Sequence, residues 1–274
     1  MALTSDPLDL WREALASWAI PDRILAAAEE SPWLLPPDLF ARRADAQMAR
    51  PAGAALARAA EALPAEGAVL DVGAGAGAAS LPLTAAGRLI AVDEKPDMLV
   101  ELEARAAGRG LETQSIVGRW PDVASRTPPA DVVVCSHVLY NVLDIGPFVA
   151  GLHEHARRRV VVELTARHPL SGLNPLWRTF HGLERPQHPT WEDAAAAIRS
   201  LGIQPTAEVY PRRAGTAWAV SFEAFVRITR IRLCLASELE PAVATALRER
   251  GADPADASTW TEGNGDLVAL WWDV

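Results

Sequence analysis

Val69-Leu70-Asp71-Val72-Gly73-Ala74-Gly75-Ala76-Gly77 is the stretch on which the reading of this chain turns. Its first half is a short apolar run carrying one acid, and its second half has three glycines at alternate positions. Glycines spaced in this way directly after a strand let the backbone turn tightly, expose amide N–H groups and admit a ligand without Cβ collisions. The turn is expected to lead into a helix, with a nucleotide-like cofactor as its natural occupant. The stretch alone leaves two alternatives open. Gly73 to Ala78 also satisfies the loose dinucleotide pattern in which the third glycine is replaced by alanine, and a plain tight turn would use the same residues.

Two acids narrow the choice. Asp71 stands at the end of the first apolar run, two positions before Gly73, where its charge would oppose a pyrophosphate and favour a cationic ligand. Asp93 closes the next run, Leu89 to Val92, where a carboxylate can accept hydrogen bonds from both hydroxyls of a ribose. The two carboxylates are expected to face one crevice from neighbouring strands.

Outward from this centre, short apolar runs alternate with helical stretches. The runs are Ala68 to Val72, Leu89 to Val92, Thr113 to Val117, Asp131 to Ser136 and Val160 to Leu164, with helices expected at Pro96 to Ala107 and Ile145 to Ala156. Such alternation predicts a parallel sheet with helices on both faces, and the unbroken run Asp131-Val-Val-Val-Cys135 suits a central strand. A capped helix at Trp191 to Leu201, a strand near Ala207 to Tyr210 and a terminal strand over Asp266 to Val274 complete the pattern. The first 66 residues read as helices broken by prolines, with Asp6-Pro7 opening the first and Leu8, Trp11, Leu15 and Trp18 on one stripe. Residues 1–66 are therefore expected to form a helical cap on a domain spanning 67–274, with a helical insertion at about 212–266.

Composition bounds the function. The chain has 274 residues, 50% of them hydrophobic and 22% charged, which fits one enzyme-sized fold and excludes wholesale disorder. A formal net charge of −9 opposes diffuse attraction to nucleic acid or anionic lipid. Two cysteines provide neither a disulfide framework nor a zinc quartet, and His153 and His155 do not suggest a metal site. The first residues carry acids instead of a basic, apolar leader, so no membrane segment and a cytoplasmic location are expected.

The motifs Val-Leu-Asp71-Val-Gly73-Ala-Gly75-Ala-Gly77 and Ala-Val-Asp93-Glu-Lys-Pro-Asp-Met98-Leu, in this order, resemble the class I S-adenosylmethionine-dependent methyltransferases. The resemblance covers about Ala68 to Leu164 and extends to the last strand. It implies an α/β, Rossmann-like seven-stranded sheet, mostly parallel with an antiparallel last strand. It also implies S-adenosyl-L-methionine as cofactor, with Gly73 and Gly75 on the methionine moiety, Asp93 on the ribose and Met98 against adenine. The full expected cofactor-binding set is Asp71, Gly73, Ala74, Gly75, Asp93, Glu94, Met98, Arg119, Trp120 and Ser136, with Arg50 read from the N-terminal helices as a partner for the cofactor carboxylate. Where the family often has Gly-Asp-Ala, this chain has Gly118-Arg119-Trp120. Trp120 is expected either to stack on the base or to fill the core, with Asp122 as a replacement acceptor.

The fourth strand runs into Ser136-His137-Val-Leu-Tyr140-Asn141, which on the resemblance lies beside the transferable methyl group. His137 is a candidate proton acceptor, Tyr140 a candidate orienting group, and Glu163, closing the fifth strand, a comparable candidate. The preferred reading is methyl transfer to a small molecule, mainly by positioning. Met48-Ala-Arg50-Pro51 and Arg232-Leu-Cys-Leu235 weakly resemble ribosome-associated methyltransferase-like proteins, so an RNA partner is a second reading, opposed by the acidic charge. A non-catalytic cofactor binder and a nicotinamide dehydrogenase complete the alternatives. The three arginines of Arg227 to Arg232 are expected on the solvated face of an amphipathic helix, with an RNA contact as the alternative.

Overall fold

The computed structural model describes residues 6–33, 38–83, 85–212, 221–260 and 265–274. Four helices come first: α1 (Pro7–Ala16), α2 (Asp22–Leu25), α3 (Leu39–Ala49) and α4 (Ala54–Ala62). The alternating part follows as β1 (Gly67–Val72), β2 (Ala86–Asp93), α5 (Pro96–Ala107), β3 (Glu112–Val117), β4 (Ala130–Ser136), α6 (Ile145–His155) and β5 (Ala156–Thr165). Then come α7 (Asn174–His181), α8 (Trp191–Ser200), β6 (Thr206–Pro211), α9 (Phe222–Arg232), α10 (Glu240–Glu249) and β7 (Asp266–Asp273).

The seven strands form one sheet in the order β3-β2-β1-β4-β5-β7-β6. Strands β1 to β5 are parallel, and β7 runs antiparallel to both of its neighbours, β5 and β6. This is the expected Rossmann-like sheet with a reversed last strand. Successive strand residues point to opposite faces, and the packing follows that period. Leu70, Ile90, Val133, Val160 and Val162 join α1, α6 and α8 in one core. Val69, Leu89, Ala91, Val132, Val134 and Val161 join α4 and α5 in the other. The central strand needs apolar residues on both faces, hence the unbroken run in β4.

Local signals explain the helices that flank the sheet. Asp6 caps α1 by accepting from the Leu8 amide, Pro7 starts it, and the buried Trp11 donates its indole N–H to the Val142 carbonyl at 2.8 Å. Thr190 and Asp193 form a capping box that opens α8.

Two expectations need correction. The glycine stretch does not enter a helix: residues 73–83 form successive turns, closed by Gly77 N–H to Ala74 O and Leu81 N–H to Gly77 O. Gly73, Gly75 and Gly77 have φ of 73°, 51° and 88°, a left-handed alternation that a right-handed helix cannot absorb. Nor does α9 carry all its arginines in water. Arg230 is buried, bonded to Glu30 and to the Leu235 carbonyl, with Glu240 at 3.4 Å and Glu29 at 3.8 Å. These contacts tie α9 to the segment after α2, and Ile20, Ile24, Leu176, Trp177, Phe225, Val243 and Trp260 form a third core around that junction. Arg230 is thus a structural ion, unavailable to phosphate. Among the described residues no helix is long and apolar enough to cross a membrane, and no group of three or more His, Cys, Asp or Glu is placed to hold a metal.

Candidate functional site

A cavity of about 1430 Å³ opens where the parallel strands end. Its floor is built from the residues that close or follow each strand: Gly73 to Ala76 after β1, Asp93 on β2, Gly118 to Trp120 after β3, Ser136 and His137 at β4, Glu163 on β5 and Tyr210 on β6. Open α/β sheets deliver ligand contacts to this edge, because every chain reversal there leaves a loop to vary. Helix α3 supplies the roof through Phe40, Arg43 and Gln47, which share one helical face.

At one end Asp93 organises the glycine turn. Its Oδ2 accepts from Gly75 N–H and its Oδ1 from Lys95 N–H, both at 2.9 Å, leaving each carboxylate oxygen a further lone pair. The amides of Gly73 and Ala74 both donate to the Val92 carbonyl, at 2.9 and 3.0 Å. The expected display of loop amides is therefore absent at these three positions, because the turn spends them on β2. A pyrophosphate would need them, which argues against the dinucleotide alternative. What the glycines provide is space. A Cβ on Gly75 would project to 3.9 Å from Phe40 of the roof, and one on Gly73 would come within 2.3 Å of Val138 Cγ2.

Asp71 departs from the expected pair of facing carboxylates. It lies one residue inside the end of β1, fully buried and outside the cavity lining, with neither oxygen nor the nearby Ser80 hydroxyl in a hydrogen bond among the described residues. Burial pushes its carboxyl up to about 7, with the Ser80 hydroxyl opposing and the charge of Asp93 adding to the rise. Asp71 thus sits beneath the cradle and does not touch an occupant, because β1 is a central strand covered on both faces.

Glu94, Met98, Arg119 and Trp120 line the same end. Trp120 is also a core residue: its indole N–H donates to the Phe148 carbonyl at 3.1 Å and its ring meets His155 edge-on at 4.9 Å. The wall it offers is therefore fixed. Asp122 is exposed and does not line the cavity, so the substitute acid is not in place.

At the other end Glu163 collects three side chains. Ser136 donates to its Oε1 at 2.9 Å, Tyr210 donates to Oε2, and His137 Nε2 lies 3.2 Å from Oε1. Burial raises the Glu163 carboxyl, but the contacts from His137, Tyr210 and Ser136 outweigh it and bring the group down to about 2. Gly53, in the link between α3 and α4, closes over this cluster: a Cβ there would stand 3.5 Å from the Tyr210 hydroxyl. Ala74 and Arg50 also line the cavity, Arg50 at the end of α3.

Tyr140 does not reach the cavity. Its hydroxyl donates to the Thr165 carbonyl at 2.9 Å, its ring stacks on Trp11, and burial pushes its pKa well above the ordinary phenol value, so it stays un-ionised. The 3₁₀ turn Leu139–Asn141 rotates it into the core while Asn141 faces the cavity. Tyr210, Gly53, Phe40 and Gln47 are the residues that sequence reasoning missed. Only the position of Tyr210 near the end of an expected strand carried a signal.

Residues 69–159 match a family model described as "Methyltransferase domain". No curated protein matches the chain in sequence. Among solved structures, the chain is similar to the YcgJ protein from Bacillus subtilis, with 17% identity and a TM-score of 0.52 over 80% of this chain and 97% of that one. It is also similar to the cyclopropane-fatty-acyl-phospholipid synthase-like protein from Lactobacillus casei ATCC 334, with 13% identity and a TM-score of 0.52 over 92% and 98%. At such identities these two likenesses speak for the fold alone.

Proposed function

We propose that this chain, residues 69–159 of which match the methyltransferase model, is an S-adenosylmethionine-dependent methyltransferase that methylates a small molecule held over the ends of β4 and β5. The observation that carries the reading is the placement of Asp93, with a lone pair to spare on each oxygen, beside a side-chain-free turn in a cavity with room beyond it. The residues present fit the cofactor. Asp93 would accept from the ribose hydroxyls, Gly75 would leave room for the chain that joins ribose to sulfur, and Met98 and the fixed Trp120 would flank the base. Arg50 would meet the cofactor carboxylate. Ala74, Glu94 and Arg119 complete this end.

When bound, S-adenosylmethionine supplies a methyl group already activated by its sulfonium centre. The protein's contribution is alignment. Ser136, His137 and Asn141 border the space next to the glycine turn, and a nucleophile held there needs a near-attack geometry more than a strong catalyst. Helix α3 covers this space from one side. Asp71 contributes from below as a buried negative charge when ionised.

Isothermal titration with S-adenosylhomocysteine tests the cofactor reading. Binding is expected for the wild type, with a loss of about 10-fold or more in Asp93→Ala, the scale of one or two charge-assisted hydrogen bonds. No heat from the wild type at high protein concentration removes the proposal. A panel of small acceptors with isotopically labelled methyl donor then reads transfer itself.

A further inference from the structure

The cluster around Glu163 specifies more than alignment. His137 has φ of 60°, a left-handed backbone uncommon for a residue with a Cβ, and its own amide donates to the Glu163 carbonyl at 2.8 Å. That conformation turns the ring from the end of β4 toward the β5 carboxylate, so that Nε2 sits 3.2 Å from Oε1. The side chain remains one-third exposed, and it borders the cavity. Nδ1, the other ring nitrogen, has no partner among the described residues.

Glu163 is unsuited to take a proton itself. Three side chains already crowd its two oxygens: Ser136 and Tyr210 donate hydrogen bonds from the ends of β4 and β6, and His137, next along the chain after Ser136, stands 3.2 Å away. Those contacts keep it ionised. A carboxylate so held accepts from one imidazole nitrogen and leaves the lone pair of the other pointing elsewhere.

We propose that His137 Nδ1 is the proton acceptor of this site, that Glu163, Ser136 and Tyr210 are positioning residues acting through it, and that the methyl acceptor is a small molecule whose nucleophile is a neutral O–H or N–H. The inference rests on the methyltransferase reading and deepens it to a substrate class. As the nucleophile's lone pair forms its bond to the methyl carbon, the carbon–sulfur bond breaks and its pair stays on sulfur. The pair of the O–H or N–H bond stays with the nucleophile, and the proton passes to Nδ1. The positive charge that leaves sulfur reappears on the imidazole, beside Glu163, and the proton is then released to water. A thiolate or another pre-ionised nucleophile would need none of this apparatus.

Two measurements test the ring without knowledge of the acceptor. In long-range ¹H–¹⁵N spectra, with the His137 resonances identified by their loss in His137→Gln, the neutral ring is expected in the Nε2–H tautomer. Glu163→Gln and Tyr210→Phe are each expected to depopulate it. With diethyl pyrocarbonate and peptide mapping, His137 is expected to react about as fast as the exposed His188, and about 5-fold slower in Glu163→Gln, with the His188 rate unchanged. With phenol, hydroxy-acid, amine and thiol acceptors, His137→Gln is expected to lower kcat about 100-fold or more on O–H or N–H acceptors, and much less on thiols, while S-adenosylhomocysteine affinity stays within about 2-fold. A dominant Nδ1–H tautomer, a His137 inert to the reagent, or undiminished kcat in His137→Gln overturns the assignment. Failure of the wild type to bind S-adenosylhomocysteine strikes instead at the methyltransferase reading, while the tautomer and labelling results still decide the arrangement of the ring.

Discussion

Asp71, fully buried on β1, and Glu163, half-buried on β5, flank β4 on either side and respond to pH in opposite senses. Asp71 has no charged partner of opposite sign, and burial pushes its folded carboxyl up to about 7 from its ordinary 3.8, with only the nearby Ser80 hydroxyl opposing. Between those values the folded chain holds a proton that the unfolded chain has shed. The associated stability is full below pH 3.8 and is lost as pH rises through about 7. Urea midpoints should therefore show Asp71→Asn gaining on the wild type from pH 5 to pH 8, and a constant difference would contradict a carboxyl raised by burial. Glu163 is lowered from 4.5 to about 2, so its contribution is present above pH 4.5 and is lost as pH falls through about 2. The wild type should lose ground to Glu163→Gln over that acidic window. Residue identities such as Asp93 and Gly75 were legible in the sequence because their partners lie close along the chain. Tyr210 was not, since its bond to Glu163 spans two helices and a loop. Tyr140 misled because nothing in Leu139-Tyr140-Asn141 announces which way a 3₁₀ turn will face.

At the scale of the element, the glycine turn shows why space and conformation are separate demands. Gly73 combines φ of 73° with a Cβ position 2.3 Å from Val138, whereas Gly110 has φ of 69° and nothing within 4 Å. Gly110→Ala should cost only the left-handed backbone penalty, about 1–2 kcal/mol. Gly73→Ala should cost that and a further overpacking penalty of about 1–3 kcal/mol. Equal losses in urea unfolding would show that Val138 yields freely. The strands were legible because apolar runs of their length and β-branched content have few other homes. The helix expected after β1 was not realised, because glycines at 73, 75 and 77 all take positive φ, and only the folded loop reveals that.

Across the whole molecule, the sheet and its two cores are joined to a third core of helices by the short segment that follows α1. Ile20 and Ile24 enter that third core, and Arg230 meets Glu30 at its edge. The arginine-bearing helix around Arg227 to Arg232 was legible in the sequence, whereas α7 was not, and nothing local could say that α2 would pack with α9 and α10, since that depends on partners about 200 residues away. Glu30 is the carboxylate hydrogen-bonded to the buried Arg230, with Glu240 and Glu29 farther off, so Glu30→Ala weakens the pairing of a buried charge and should loosen the helical core. Hydrogen exchange should speed up about 10-fold or more in α9 and α10 while β1 and β4 keep their protection, and uniform acceleration would mean that the three cores unfold as one unit.

The sheet order has a consequence for assembly. Strand β7 is the only described strand on which β6 pairs, and it fills the slot between β6 and β5. During synthesis the chain can lay down β1 to β5, with the glycine turn and Asp93 in place, before β7 exists. In that interval Tyr210 has no seat from which to reach Glu163. A nascent chain thus acquires its nucleoside cradle first and its proton-handling corner last, and the insertion of one late strand acts as the latch that brings the enzyme into working order.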